Sequence, residues 1–294
     1  AEAYVAAGVG RASLGVQDLN PHVQKAIGRV QPIEQVRQAV ETLRGAGLTQ
    51  LSFDLMYGLS GQTAGDLART IRLAADLQPN RIALFGYAHV PWFKRRQRLI
   101  NAEDLPGVSD RFDQAELARR MLNDLGYENV GLDHFARPDD PLAISARNAT
   151  LKRNFQGYVA QESAALIGLG PSAISHLPGG YVQNITTVTA WRHAVEADTL
   201  PIARGHAETA EDLRRNAIIQ SIMCTHQVDL GPWGGWDMFP DAYAELSTLA
   251  EAGLVMIESG GLRIPDAARP FSRLVAAAFD AYAQPSQPAH SRAI

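Results

Sequence analysis

A stretch near the middle of the chain combines residue types that could bind a charged ligand. Residues 133–140 read DHFARPDD, residues 152–158 read KRNFQGY, and residues 168–175 read GLGPSAIS. Protein interiors reject arginine, aspartate and histidine unless these are paired, and here they mix with glycine and aromatic residues too irregularly for one helix face or strand. The pattern predicts a loop system that closes over a polar, anionic ligand, or else a solvated connector with a few buried hydrogen bonds.

A second group of candidate residues follows the predicted strands. These residues are Gln17 and Asp18, Asp54, Ala88 and His89, and Asp133 and His134. Because ligands of α/β proteins gather at the carboxyl ends of strands, several polar side chains at such ends predict a site. A helix-capping aspartate is the alternative explanation for each carboxylate taken singly.

Strands separated by amphipathic helices must position these residues. Strands are predicted at 11–17, 48–59 and 81–90, with helices that begin at Pro32 and after the capping-box pattern at Thr63. A further helix over 114–125 leads to a fourth, short strand over 128–135. This order is typical of βα units with a parallel sheet, so the fold class is predicted to be α/β.

The character of the chain changes near residue 198. Two helices, a β-hairpin on Gly260 and Gly261, and a closing helix predict a mostly helical, winged-helix-like domain over 198–294, with a loose tail at 284–294. The first domain is then 1–197. Nine acidic residues in 207–258 oppose Arg214 and Arg215, which argues against a nucleic-acid partner.

Composition limits the function further. The net charge is −4 and no apolar run reaches the ~18 residues of a membrane span, so no membrane partner is expected. The first residues lack the pattern of a signal peptide, and a cytoplasmic location is expected. Cys224 is the only cysteine, which predicts a core residue and no multi-thiolate metal site. The histidines lack metal-ligand spacing, so no metal site is expected in this chain.

Several motifs, in order, resemble one family. GVQDLN at 15–20, FDLMYGL at 53–59, GYAHVP at 86–91, LDHFARPDD at 132–140, RNFQGY at 153–158 and GPSAIS at 170–175 are similar to oxygen-independent coproporphyrinogen III oxidases, which are radical S-adenosylmethionine (SAM) enzymes. The resemblance implies a partial radical SAM (β/α)6 barrel followed by a helical C-terminal domain with a β-hairpin. It also implies conversion of coproporphyrinogen III to protoporphyrinogen IX in heme and porphyrin biosynthesis.

The resemblance also implies cofactors and site residues. The family uses a [4Fe–4S] cluster, supplied with electrons by a donor, and two SAM molecules. The positions that match its SAM contacts are Gln17, Arg29, Asp54, Ala88 and Ile174, with Phe155 and Gln156 near the site. Arg29 suits the SAM carboxylate, Asp54 and Gln17 suit its ribose hydroxyls, and Ala88 and Ile174 would line a slot. Arg137 and Arg153 could pair with substrate propionates, or with the aspartates at 133, 139 and 140.

The chain departs from the family in one respect. The family's cluster rests on three cysteines in a C-x-x-x-C-x-x-C motif, and this chain has only Cys224. We therefore expect the C-terminal two-thirds of an oxidase, inactive alone and prone to self-association through an open sheet edge, whereas the full-length parent would be a monomer. The alternative is a truncated homologue that binds heme or porphyrin without catalysis.

Overall fold

Alternating apolar residues along the second predicted strand bury one face of a sheet. A computed structural model describes residues 1–161 and 163–282 of the chain. In this structure Leu51, Phe53 and Leu55 are buried on one side of the strand. Side chains alternate between the faces of a sheet, so Ser52 and Asp54 lie on the opposite, polar side.

The described chain forms two compact units, Ala1–Leu151 and Lys152–Tyr282. The sequence predicted a different division, into domains 1–197 and 198–294. That division stays a prediction. The predicted loose tail, 284–294, lies outside the described residues.

The first unit contains one sheet and the helices around it. Its strands are β1 (Arg11–Gln17), β2 (Gln50–Tyr57), β3 (Arg81–Gly86), β4 (Glu128–Val130) and β5 (His134–Ala136). Its helices are α1 (Glu2–Ala6), α2 (Pro21–Ala26), α3 (Ile33–Gly45), α4 (Ala64–Asp76), α5 (Val108–Asp124) and α6 (Pro141–Arg147), with short 3-10 turns at Arg95–Leu99 and Ala102–Asp104.

The strand order is β1-β2-β3-β5-β4. It confirms the predicted parallel strands and corrects the prediction for the fourth strand. β1, β2 and β3 are parallel neighbours. The single strand predicted over 128–135 is wrong, because the chain turns at Gly131, whose φ is 62°, and forms the antiparallel pair β4 and β5. β5 also runs antiparallel to β3. β3 ends at Gly86, so residues 87–90 form a loop and not the predicted end of a strand.

Helices α3, α4 and α5 cover the apolar face of this sheet. The predicted capping box starts α4: Thr63 accepts a hydrogen bond from the Asp66 amide, and Asp66 accepts one from the Thr63 amide. Four apolar residues of the α4 segment are buried: Leu67, Ile71, Ala74 and Leu77. These side chains pack with Val36, Val40, Ala118 and Leu122 into the core cluster under the sheet.

The second unit contains shorter strands and four helices. Its strands are β6 (Lys152–Asn154), β7 (Gly157–Val159), β8 (Ile174–Leu177), β9 (Gly180–Asn184), β10 (Ile202–Ala207), β11 (Gln227–Asp229), β12 (Met256–Glu258) and β13 (Gly261–Arg263). Its helices are α7 (Val188–Glu196), α8 (Ala210–Thr225), α9 (Pro240–Glu251) and α10 (Ser272–Ala277), with 3-10 turns at Gly231–Trp233, Trp236–Met238 and Asp266–Phe271.

The structure confirms several predicted elements of the second unit and adds others. Helices α8 and α9 and the β12–β13 hairpin lie where the sequence predicted them. The closing helix, predicted over 271–283, is shorter, because α10 ends at Ala277 and turns follow it. The antiparallel sheet β10-β9-β8 was not predicted, since its strands are short and only half-buried or exposed and so lack an alternating apolar pattern.

Within the described residues, no helix combines the length and the hydrophobicity needed to cross a lipid bilayer.

Candidate functional site

The polar face of the first unit's sheet carries a row of four aligned residues. Strand register places Gly15 of β1 beside Asp54 of β2, Asp54 beside Ala83 of β3, and Ala83 beside His134 of β5. Because β5 runs antiparallel to β3, its first residue, His134, pairs with Ala83 in the middle of β3. The row therefore places a carboxylate, Asp54, and an imidazole, His134, on either side of one small residue, Ala83.

Asp54 is the half-buried carboxylate of this row. The Ser13 hydroxyl donates a hydrogen bond of 3.0 Å to Asp54 Oδ1. Loss of water around the carboxylate raises the pKa of Asp54, while the Ser13 hydrogen bond and the nearby charges of His134 and Arg29 act in the opposite direction. Removing a carboxylate from water is costly, so its retention here indicates a function beyond packing.

Arg29 and Gln17 lie together at the end of β1. Gln17 adopts φ 64° where the β1–β2 pairing is interrupted by a bulge. Arg29 Nη2 donates to the Gly15 carbonyl at 2.5 Å, and Arg29 Nε donates to Gln31 Oε1 at 3.4 Å. A Cβ atom on Gly15 would lie 2.9 Å from Gln17 Nε2 and 3.1 Å from Arg29 Nη2. The glycine thus leaves the space that these two polar ends occupy.

Gln24 fixes the loop that carries Arg29. This buried side chain donates to the Asp18 carbonyl at 2.8 Å and to the Gln31 carbonyl at 2.7 Å, and it accepts from the Gln31 amide at 3.0 Å. The loop after α2 is therefore tied to the end of β1 by side-chain hydrogen bonds, which restricts where the guanidinium of Arg29 can lie.

Asp18 has a structural role, as the helix-capping alternative allowed. Its carboxylate is fully buried and accepts hydrogen bonds from the Asn20 amide, the Asn20 side chain, Gln62 Nε2 and Thr70 Oγ1, at 2.6 to 3.1 Å. These four bonds satisfy both oxygens of the carboxylate. Asp18 therefore orders the turn that leads into α2 and does not present a free oxygen to a ligand.

Ala88 lies in a loop held from two sides. Gln97 Nε2 donates to the Ala88 carbonyl at 2.9 Å, and Gln97 Oε1 accepts from the Val90 amide at 2.6 Å. Arg111 Nη2, from α5, donates to the Tyr87 carbonyl at 3.0 Å. The loop therefore projects from the end of β3 in a defined conformation.

His134 and Arg137 have different surroundings. His134 Nδ1 lies 2.6 Å from Asp133 Oδ1, and its ring meets Phe85 edge-on at a centroid distance of 6.1 Å. Arg137 is half-exposed, with its Nε 3.9 Å from Asp139 Oδ1, while Asp140 binds Arg81 instead. The ion pair of Arg137 is a weak surface contact, so the structure leaves its guanidinium accessible.

The remaining predicted site residues belong to the second unit. Phe155 and Gln156 form the tip of the two-residue β6–β7 hairpin, and Phe155 contacts Tyr181 edge-on at 6.2 Å. The Arg153 guanidinium lies 5.7 Å from the Tyr158 ring centroid. Ile174 begins β8, and its backbone approaches Gly168 so closely that a Cβ there would lie 2.5 Å from the Ile174 carbonyl oxygen. The middle stretch is thus a set of hairpins and turns and not a single loop.

Four further residues that support the site were not predicted. They are Ser13, Gln24, Gln97 and Arg111. Ser13 lies on the same strand face as Gly15, so strand alternation could have identified it. Gln97 and Arg111 act from a turn and a helix beyond the strand, and no sequence pattern indicates such contacts.

The donor groups fit SAM and do not fit an iron–sulfur cluster. A carboxylate, a guanidinium and an amide beside a glycine match the carboxylate and ribose of SAM. Among the described residues no group of three or more His, Cys, Asp and Glu could hold a metal ion. Burial raises the pKa of Cys224, the single cysteine, to about 11, which disfavours the thiolate that a cluster requires.

Comparisons with known proteins bear on the fold and on the family of the chain. Residues 1–74 match the Radical SAM superfamily. The structure of coproporphyrinogen III oxidase from Escherichia coli, described as a radical SAM enzyme, superimposes with a TM-score of 0.87 and 35% identity, over 96% of this chain and 67% of that chain. The expected fold class, a partial radical SAM barrel followed by a helical region, is thereby confirmed. The fold and these matches define a radical SAM protein.

Sequence relatives identify the family of the chain within this class of proteins. The oxygen-independent coproporphyrinogen III oxidase of Bradyrhizobium diazoefficiens is 44% identical over 100% of this chain and 66% of its own length. That of Cereibacter sphaeroides strain ATCC 17025 is 42% identical over 95% of this chain and 63% of its own length. The chain belongs to the oxygen-independent coproporphyrinogen III oxidase family. It spans slightly less than two-thirds of these curated relatives.

Proposed function

We propose that the whole protein catalyses the oxygen-independent oxidative decarboxylation of coproporphyrinogen III to protoporphyrinogen IX in heme and porphyrin biosynthesis. The observation that carries the proposal is the cluster of Asp54, Arg29 and Gln17 at the end of the sheet, on a fold that matches a radical SAM oxidase. When bound, SAM supplies the group that abstracts hydrogen in radical SAM chemistry. The described residues bind and orient ligands, and none of them supplies cluster thiolates.

Arg29 is the proposed partner of the SAM carboxylate. Its hydrogen bonds to Gly15 and Gln31 use Nη2 and Nε, so among the described residues none engages Nη1. A guanidinium that is already held at one side keeps its remaining donors in a fixed direction, which favours a carboxylate ligand.

Asp54 and Gln17 are the proposed partners of the ribose hydroxyls. Asp54 Oδ1 accepts from Ser13, and no described residue donates to Oδ2, which leaves that oxygen available to a hydroxyl. Ala88 would line the same slot from the loop after β3. In the second unit, Ile174, Phe155 and Gln156 are proposed to contact SAM or lie near it, as their positions in the family imply.

Arg137 and Arg153 are proposed to bind the propionates of the substrate. The support is chemical, because propionates are anionic and both guanidiniums make weak contacts with the described residues. Arg137 forms an ion pair at 3.9 Å and Arg153 a ring contact at 5.7 Å. The binding of two SAM molecules, the [4Fe–4S] cluster in the full-length parent, an electron donor, and a cytoplasmic location complete the proposal.

Binding of SAM to the chain tests the assignment. Arg29→Lys removes the bidentate fork and Asp54→Asn removes the charged acceptor, so each should weaken binding about tenfold in equilibrium dialysis with radiolabelled SAM. Arg72→Lys and Asp76→Asn, exposed positions on α4, are matched controls that should bind like the unmodified chain. Equal affinity of all four variants would refute the proposed site.

Activity of the whole protein tests the reaction. Under anaerobic conditions with SAM, a reductant and coproporphyrinogen III, it should release carbon dioxide and form protoporphyrinogen IX. Binding of porphyrin or heme without this product would favour the alternative, a non-catalytic porphyrin-binding homologue.

A further inference from the structure

A serine one register row away from Asp54 contacts its carboxylate. Ser13 pairs directly with Ser52 across the β1–β2 ladder, whereas Asp54 pairs with Gly15. The Ser13 hydroxyl nevertheless reaches Asp54 Oδ1 at 3.0 Å, along the diagonal of the strand pair.

The contact restricts the rotation of a carboxylate that has lost much of its water. A single donor on Oδ1 distinguishes the two oxygens and leaves Oδ2 as the accepting atom toward the end of the strands. The charged or titratable groups around Asp54 are Arg29 from the loop after α2 and His134 from β5, which is itself in contact with Asp133. Ala83, its neighbour on β3, contributes no charge, and Arg81 in the next row is bound to Asp140.

We propose that Ser13 is a positioning residue that holds Asp54 in the orientation in which Oδ2 accepts a ribose hydroxyl of SAM. This inference deepens the proposed function and rests on it. The hydroxyl donates to the ionised carboxylate and stabilises that form, so Ser13 also extends the range of pH over which Asp54 stays charged.

The test compares two serines on the same face of the sheet. Ser13→Ala removes the hydrogen bond to Asp54, and Ser52→Ala removes a hydroxyl that makes no hydrogen bond to it. Ser13→Thr keeps the donor and should restore the behaviour of the unmodified chain. Two readouts are needed for each variant: titration of the Asp54 carboxyl by 13C NMR without ligand, and SAM affinity as a function of pH.

The expected result separates the variants. In Ser13→Ala the Asp54 carboxyl should titrate at higher pH, SAM should bind about five- to tenfold more weakly at neutral pH, and the acid loss of binding should begin at higher pH. Ser52→Ala and Ser13→Thr should match the unmodified chain in both readouts. Identical titration and affinity for Ser13→Ala and Ser52→Ala would overturn the positioning role.

The two proposals fail in different ways. If the unmodified chain does not bind SAM, the proposed function fails, and the NMR titration still decides whether Ser13 controls the ionisation of Asp54. If the unmodified chain binds SAM and Ser13→Ala binds it equally well, only the positioning role fails.

Discussion

Individual residues at the end of β1 combine a small side chain with polar neighbours. Gly15 gives Arg29 and Gln17 the space beside the strand, and its carbonyl accepts the hydrogen bond that holds Arg29. Any larger residue at this position would displace both polar groups. Gly15 is therefore as important for the proposed binding of SAM as the residues proposed to contact SAM.

His226, in the second unit, makes stability depend on pH. It follows α8 in the left-handed conformation with φ 58°, and its Nδ1 lies 3.2 Å from the Ser272 hydroxyl. Burial, followed by the nearby charge of Arg269, lowers the pKa of His226 from 6.5 to about 4. The unfolded chain therefore binds a proton in this window that the folded chain does not, and stability should fall as the pH drops from 6.5 to about 4.

Urea denaturation followed by tryptophan fluorescence checks this expectation. His226→Asn keeps a residue that tolerates a positive φ but does not titrate, so its denaturation midpoint should fall less over the same pH range. His193→Asn, an exposed position on α7, should keep the dependence of the unmodified chain. A His226→Asn variant with an unchanged pH dependence would contradict the assignment.

At the scale of elements, one buried ion pair connects β3 to the start of α6. Arg81 forms a bidentate contact with Asp140 through Nε and Nη2, at 2.7 to 3.0 Å, and both residues are buried. Asp140 Oδ1 also accepts from the Leu142 amide at 2.7 Å and caps α6. The pair therefore links the segment between β5 and α6 to strand β3.

Asp140→Ala should destabilise the first unit strongly. The change leaves the Arg81 charge buried without its partner and removes the helix cap, so the free energy of unfolding should fall by about 3–5 kcal/mol. Asp139→Ala is the matched control, because this side chain is 88% exposed and lies 3.9 Å from Arg137. Its effect should stay within about 0.5 kcal/mol, as measured by denaturant titration. An equal fall in the free energy of unfolding in the two variants would contradict a stabilising role of the buried ion pair.

At the scale of the whole molecule, the residues proposed to bind SAM lie in a chain with a single cysteine, Cys224. Self-association of the chain stays a prediction: β1 is the edge strand of its sheet, and sedimentation of a monodisperse monomer would contradict it. Catalysis by the chain alone is a separate question, because SAM binding and SAM cleavage depend on different groups.

Reconstitution of the chain with iron, sulfide and a reductant should give neither cluster absorbance nor 5′-deoxyadenosine. Cys224 is a single, half-buried thiol whose raised pKa of about 11 disfavours metal ligation. Cys224→Ser should therefore behave like the unmodified chain in this assay. Formation of 5′-deoxyadenosine by the chain would refute the expectation.

Local patterns in the sequence were sufficient for the parallel βα units. The strands predicted at 11–17 and 48–59, the helix after Pro32 and the capping box at Thr63 depend on neighbours within a few residues, and the structure confirms them. The motifs that resemble the oxidase family also lie within short segments, which is why the family could be inferred from them.

Only the tertiary structure decided which side chains meet. The antiparallel turn at Gly131 brings His134 into the row of Asp54, and the diagonal contact of Ser13 depends on strand register. From the sequence, Asp18 could equally have bound a ligand or capped a helix. In the structure Thr70 of α4 donates a hydrogen bond to the buried carboxylate, which assigns Asp18 to the turn before α2. Residue type and local spacing determined the parallel βα units and the candidate groups, whereas hydrogen bonds between residues distant in sequence depend on packing that no local pattern encodes.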